Sequence, residues 1–184
     1  MGALVCCLLL LAADPLASTA DAGARPTRAL PSESSVEPHI LMSGVPGAVA
    51  RRAVRGARLR LMAPSCSRLL SEFKDSAGEP LQSRLDGLGL SAPDYVAMVV
   101  FAEGSTQRAC ATRIVLGVTQ PGSRVVFLCP RFVEAELRDP RFAEAIVIHE
   151  MLHSLGLGEN PPSSWEITGK VLRSCLERPP LRGD

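Results

Sequence analysis

The sequence is most informative at residues 145–159, which read AIVIHEMLHSLGLGE. An apolar run leads into His149 and His153, with Glu150 next to the first histidine. Residues four apart share one face of a helix, with Cβ atoms about 5–6 Å apart, so both imidazoles can reach one tetrahedral ion. Polar residues on a buried helix need a partner, and a metal ion supplies one. The spacing therefore predicts a zinc site at His149 and His153, with Glu150 beside it as a general base.

The helix that carries this motif has recognisable ends. Asp139 is a favoured cap for the free amide hydrogens of a first turn, and Pro140 is well tolerated at the first helical position. Gly156 can adopt the left-handed conformation that ends a helix. The pattern predicts a helix from Asp139–Pro140 to about Leu155.

Two glutamates are candidates for the third zinc ligand. Glu159 follows the predicted helix end by about one turn of loop. Glu166 lies further along, but Ser163 three residues before it predicts a capping box, which already explains a glutamate at that position. We therefore favour Glu159, which gives a set of two histidines and one carboxylate with a fourth position open.

Residues 149–159 resemble the zinc-binding consensus HExxHxLGLxH of metzincin-type metallopeptidases, particularly matrixins. The resemblance implies an α+β, zincin-like fold in which a small mixed sheet binds extended peptide along a strand edge. The active-site helix backs that sheet, and a C-terminal helix follows. Two departures separate the chain from the metzincins: Glu159 replaces the third histidine, and no methionine follows Met151 to form a Met-turn. In gluzincin-type enzymes the third ligand comes from a later helix, which would correspond to Glu166.

The motif and the resemblance together predict an exported zinc metallohydrolase, specifically a peptidase acting on peptides or proteins. Zn²⁺ held by His149, His153 and Glu159 would lower the pKa of a water molecule and polarise the scissile carbonyl. Glu150 would accept the proton of that water and deliver it to the leaving amine. The alternative function is a non-catalytic, zinc-stabilised binding domain with the same fold.

Composition divides the chain into three parts. Residues 1–22 contain an apolar run that is too short to span a bilayer and is followed by small residues, which is typical of a secretory signal peptide. We therefore expect a secreted or periplasmic protein with no transmembrane segment in the mature chain. Residues 23–62 are rich in proline and arginine, which predicts a linker or pro-segment. We expect the zincin-like domain at residues 63–178.

The arginine-rich stretch at residues 51–60 has three interpretations. It could contact an anionic surface, cover an acidic cleft as an inhibitory pro-segment, or form a solvated linker or short exposed helix. We favour the last. With 20 basic and 19 acidic residues the formal net charge is +1, which gives no reason to expect a nucleic-acid partner.

A hairpin is predicted between two apolar segments, residues 113–118 and 124–129. Pro121 and Gly122 occupy the central positions of the connection, and this pair favours a type II turn. The remaining predicted elements are helical pieces at 67–74 and 80–88, a buried strand at 94–103, and a closing helix at 163–175.

Four cysteines outside the predicted signal peptide suggest two disulfides in an oxidising compartment. The hairpin would bring Cys110 and Cys129 to roughly opposite positions, within bonding reach. Cys66 and Cys175 would then join the two ends of the domain.

Two aromatic residues are weaker candidates for a functional role. Tyr95 could stabilise an oxyanion, but its place in the middle of the predicted strand favours packing. Trp165 could line a substrate pocket, but we expect it to attach the last helix to the core.

Overall fold

The computed structural model describes residues 37–177 of the chain. The predicted signal peptide lies outside the described residues, as does the first part of the predicted linker. The strands are β1 (His39–Leu41), β2 (Val100–Glu103), β3 (Gly117–Val118) and β4 (Val125–Leu128). The helices are α1 (Gly44–Leu61), α2 (Pro64–Ser67), α3 (Leu69–Glu72), α4 (Leu81–Leu88), α5 (Ala92–Met98), α6 (Arg131–Arg138), α7 (Pro140–Ser154) and α8 (Ser164–Val171). A 3₁₀ turn at Arg108–Ala111 and a π-helical turn at Leu172–Leu176 complete the described elements.

The four strands form one small mixed sheet in the order β1-β2-β4-β3. β1 and β4 both run parallel to β2, whereas β3 pairs antiparallel with β4 and forms one edge of the sheet. Helices α1, α6 and α8 and the edge strand β3 all contact α7. The α+β class with a small mixed sheet is as predicted.

Helix α7 begins as the sequence predicts. The carboxylate of Asp139 accepts hydrogen bonds from the backbone N–H groups of Arg141 and Phe142, at 3.0 and 3.2 Å. The helix ends at Ser154, and Gly156 follows with φ +113° in the left-handed region. Its apolar residues from 145 to 148 are at most 8% exposed, so α7 runs through the core.

The prediction that residues up to 62 form a linker is wrong for β1 and α1. Val49, Ala50 and Ala53 on α1 are at most 2% exposed and belong to the core. The sequence did not indicate this helix clearly, because its buried face consists mainly of small alanines and valines among arginines. The composition of the segment therefore resembles that of a solvated linker. The described part of the domain therefore starts before residue 63.

Two arginines of the 51–60 stretch form ion pairs within the domain. Arg52 donates two hydrogen bonds, at 2.9 and 2.8 Å, to the carboxylate of Glu136, which is 3% exposed. Arg60 pairs at 2.8 Å with Glu144 on α7. These contacts attach α1 to α6 and α7, so the stretch is a packed helix and the solvated-linker interpretation is wrong.

The predicted strand at 94–103 is wrong in its first half. Residues up to Met98 form α5, and only Val100–Glu103 form a strand. The side chain of Ser91 caps α5 by accepting a hydrogen bond from the backbone N–H of Asp94, and Pro93 lies in its first turn. The apolar run at residues 95–101 is too short to show a helical or a strand period. The cap at Ser91 is the local feature that favours a helix.

The hairpin and its turn are confirmed, with a shorter first strand. The backbone N–H of Ser123 donates to the carbonyl of Gln120 at 2.9 Å, and Gly122 has φ +82°, as a type II turn requires. β3 covers only Gly117–Val118.

Both predicted disulfides are present, Cys66–Cys175 and Cys110–Cys129. The first joins α2 to the last described helical turn, and the second joins the 3₁₀ turn to the end of β4. Disulfides are compatible with an oxidising, extracellular compartment. Among residues 37–177, none of the helices has the length and apolar character needed to cross a bilayer.

Candidate metal centre

Three predicted ligands lie together at the C-terminal part of α7. The Nε2 atoms of His149 and His153 are 3.0 Å apart. Oε1 of Glu159 lies 3.6 Å from Nε2 of His149 and 3.3 Å from Nε2 of His153. The two histidines are 4% and 6% exposed, while the Glu159 side chain is 38% exposed and comes from the loop after α7. This group could hold a metal ion.

Hydrogen bonds to the other ring nitrogens orient both imidazoles. Nδ1 of His153 lies 2.8 Å from the carbonyl oxygen of Leu157, and a carbonyl can only accept. The neutral ring therefore carries its proton on Nδ1 and directs the Nε2 lone pair toward Glu159. Nδ1 of His149 lies 2.9 Å from Oγ1 of Thr168 on α8. Such partners fix the tautomer and orientation of metal-binding histidines.

The loop that supplies Glu159 is shaped by the end of α7. The backbone N–H of Gly156 donates to the carbonyl of His153 at 2.8 Å, and that of Leu157 donates to Leu152 at 3.1 Å. Leu157 is 1% exposed and fixes the loop to the core. The carbonyl of Leu157 faces Nδ1 of His153. The loop therefore orients the candidate ligand His153 and also supplies the candidate ligand Glu159.

Burial sets the protonation of the histidine that lies deeper in the site. Desolvation, with a smaller contribution from neighbouring His153, lowers the pKa of His149 to about 3. At neutral pH its ring is therefore uncharged, which is the form that binds metals.

Glu150 lies next to the ligand group and is 5% exposed. Burial, together with the charge of Glu159, raises its pKa to about 8. A carboxyl group with a pKa near neutrality can both accept and release a proton. The side chain lies against β3, where Gly117 leaves room for it.

Glu166 is held away from this group by the capping box of α8. Its carboxylate accepts hydrogen bonds from the Ser163 hydroxyl at 2.6 Å and from the Ser163 backbone N–H at 2.8 Å. These bonds lower the pKa of Glu166. Of the two candidate third ligands, the structure places Glu159 beside the histidines and Glu166 in a helix cap.

A cleft of about 470 Å³ opens over the site. The segment around β3, helix α7 and the start of α8 all contribute to its walls. Its lining includes His149, Glu150, His153 and Glu159, and the rest is mostly apolar. Among the described residues that line it, the carboxyl groups of Glu150 and Glu159 are the only acidic ones, and no lysine or arginine is present.

The two aromatic candidates differ in position. Tyr95 is 3% exposed and its hydroxyl donates to the carbonyl of Ser154 at 3.0 Å, so it supports the end of α7 and packs as expected. Trp165 is 80% exposed and lines the cleft, so the expectation that it attaches α8 to the core is wrong. Its neighbour Ile167 performs that packing, with 0% exposure.

Sequence reasoning missed two residues of the site. Thr168 contacts His149 from α8, and Gly117 contacts Glu150 from β3. Neither belongs to a local motif. A glycine within a strand often marks a place where another group packs closely against the backbone. For residue 117 this was the one indication in the sequence.

Comparison of the chain with protein-family models, with curated proteins and with solved structures gave no match.

Proposed function

We propose that the protein is an exported, zinc-dependent hydrolase with a zincin-like site, and specifically a peptidase. The observation that carries this proposal is the convergence of two histidine nitrogens and the Glu159 carboxylate at a cleft that also holds Glu150. Two histidines, one carboxylate and an accessible cleft are the composition of a catalytic rather than a structural zinc site.

The donor atoms suit zinc in kind and spacing. Ligands bound at about 2.0–2.1 Å to one tetrahedral ion lie about 3.3 Å from one another. The three distances among the donor atoms are 3.0, 3.3 and 3.6 Å. Nitrogen donors also favour zinc over calcium or magnesium, which prefer oxygen.

When bound, zinc would supply Lewis acidity, polarising the substrate carbonyl and making water a nucleophile near neutral pH. Glu150 would take a proton from the attacking water and deliver it to the leaving amine. Without metal its raised pKa keeps the carboxyl group protonated at neutral pH. A bound cation would lower that pKa toward the ionised, proton-accepting form.

Substrate would lie along the edge of the sheet. Among the strands of residues 37–177, β3 pairs with β4 alone, and its residues line the cleft beside Glu150. An exposed strand edge binds extended peptide through backbone hydrogen bonds. This arrangement favours a peptide over a compact small molecule as the substrate.

The test is cleavage of a peptide library by the zinc-loaded protein, with Glu150→Gln and the control Glu134→Gln. Glu134 lies on α6, and its side chain is 60% exposed. We expect chelator-sensitive cleavage by wild type and Glu134→Gln, and zinc retention with at least about a 100-fold loss of activity in Glu150→Gln. Retained activity in Glu150→Gln would overturn the mechanism. Zinc binding without cleavage by any variant would favour the binding-domain alternative.

A further inference from the structure

Two residues that line the cleft are unusually exposed for their type. Ile114 is 82% exposed and Trp165 is 80% exposed. Among the large apolar residues of the described part of the chain, no other reaches these values; the next is Leu41 at 70%. Both line the cleft that holds the candidate metal centre, and apolar surface exposed at such a cleft indicates a binding surface.

The two residues come from separate elements that both line the cleft. Ile114 lies in the segment that leads into β3, which Cys110–Cys129 ties to the end of β4. Trp165 lies in the first turn of α8, whose position the Ser163–Glu166 capping box fixes. Both side chains are therefore presented by anchored backbone, which reduces the entropy lost when a ligand binds.

Outside the proposed metal centre, the described lining of the cleft offers no charged partner to a ligand side chain. Among its described lining residues the acidic groups are Glu150 and Glu159, which belong to that centre, and there is no lysine or arginine. A charged ligand side chain on the apolar lining would therefore lose its hydration without gaining a partner. Val118 and Phe142 extend the apolar surface from β3 and α7.

We propose that Ile114 and Trp165, here called the apolar clamp, select substrates with a bulky apolar side chain next to the hydrolysed bond. The proposal rests on the proposed function, which makes the ligand an extended peptide. Contact of such a side chain with both residues removes their exposed surface from water, and this burial supplies the selectivity. Trp165 contributes a large rigid surface at low entropic cost.

Trp165 is the single tryptophan of the chain, so its fluorescence reports directly on the clamp. The experiment uses the full chain loaded with zinc and carrying Glu150→Gln, which keeps peptides intact. Four blocked hexapeptides without tryptophan differ at one central position: Leu, Ala, Lys or Glu. We expect the Leu peptide to shift Trp165 emission to shorter wavelength and to bind at least about tenfold more tightly than the others.

Ile114→Ser tests the second half of the clamp while it preserves the fluorophore. We expect it to reduce the preference for Leu to about threefold or less. The control is Leu59→Ser on α1, where the leucine is 62% exposed and lies outside the cleft lining. Equal binding of the Leu and Glu peptides, unchanged emission, or equal effects of both serine variants would overturn the proposal.

Failure of the clamp and failure of the hydrolase are distinguishable. If wild type cleaves all four peptides at equal rates, hydrolysis stands and the clamp is wrong. If the Leu peptide binds with the expected preference but wild type cleaves none, the hydrolase is wrong and the clamp describes peptide binding.

Discussion

Gly117 of β3 packs directly on the side chain of Glu150 in α7. A Cβ atom at residue 117 would lie 2.8 Å from Oε1 of Glu150 and 2.9 Å from its Cδ and Cγ atoms. The atoms that this Cβ would meet belong to the far end of the Glu150 side chain, which would have to move away from the strand. The carboxyl group therefore occupies its place beside β3 because residue 117 has no side chain.

Replacing Gly117 by alanine should displace Glu150 and leave the histidines in place. We expect Gly117→Ala to lower kcat/KM for peptide cleavage by about tenfold or more, since a misplacement of about 1 Å can cost about 100-fold. Zinc content should not change. Gly87 on α4 is the matched control, because a Cβ there meets nothing within 4 Å. Full activity of Gly117→Ala would show that the contact does not position the carboxyl group.

Glu150 should also affect stability in protein stripped of metal by a chelator. Its pKa is about 8 in the fold, against an ordinary 4.5. Between these values the unfolded chain has lost the proton that the folded chain keeps, so wild type loses stability as pH rises from about 4.5 to 8. Glu150→Gln lacks this titration. We expect equal Tm values near pH 4 and a higher Tm for Glu150→Gln at pH 8.

Thermal unfolding followed by circular dichroism at both pH values measures this difference. Glu134→Gln, an exposed substitution on α6, controls for the loss of one carboxyl group. A Tm difference between wild type and Glu150→Gln that is independent of pH would contradict the raised pKa.

Thr168 should contribute to metal affinity through His149. Oγ1 of Thr168 lies 2.9 Å from Nδ1 of His149, and both residues are buried. Removing such a partner typically weakens metal binding by about 10–100-fold. We expect Thr168→Val to weaken zinc binding by this factor and Thr168→Ser to retain it, as measured by competition with a chelating dye. Equal affinities of the two variants would assign Thr168 a packing role only.

Local sequence patterns predicted the parts of the fold that local interactions determine. The Asp139 cap, the Pro121–Gly122 turn and the Ser163 capping box each rest on hydrogen bonds within a few residues, and all three are confirmed. Both disulfide pairs are as predicted, although Cys110 reaches Cys129 from the 3₁₀ turn and not from a paired strand position, since the residue facing Cys129 is Leu116.

The failures occurred where distant contacts determine the structure. Arg52 on α1 has the character of a linker residue in the sequence, because its partner Glu136 on α6 is 84 residues away in the chain. Trp165 could not be assigned to the cleft because α8 buries Ile167 instead, and this choice depends on how α8 packs against α7. The same applies to Thr168 and Gly117, whose partners are 19 and 33 residues away in the chain.

The zinc content of Glu159→Ala compared with that of Glu166→Ala tests the metal centre most directly. Elemental analysis of the purified wild-type protein should find about one zinc ion per chain. Glu166 is exposed, and its carboxylate bonds only to Ser163 in the cap of α8, so Glu166→Ala should keep its zinc. Glu159→Ala, which removes the carboxylate 3.3 Å from His153, should lose most of it. Full zinc content in Glu159→Ala together with loss of zinc in Glu166→Ala would contradict the proposed centre.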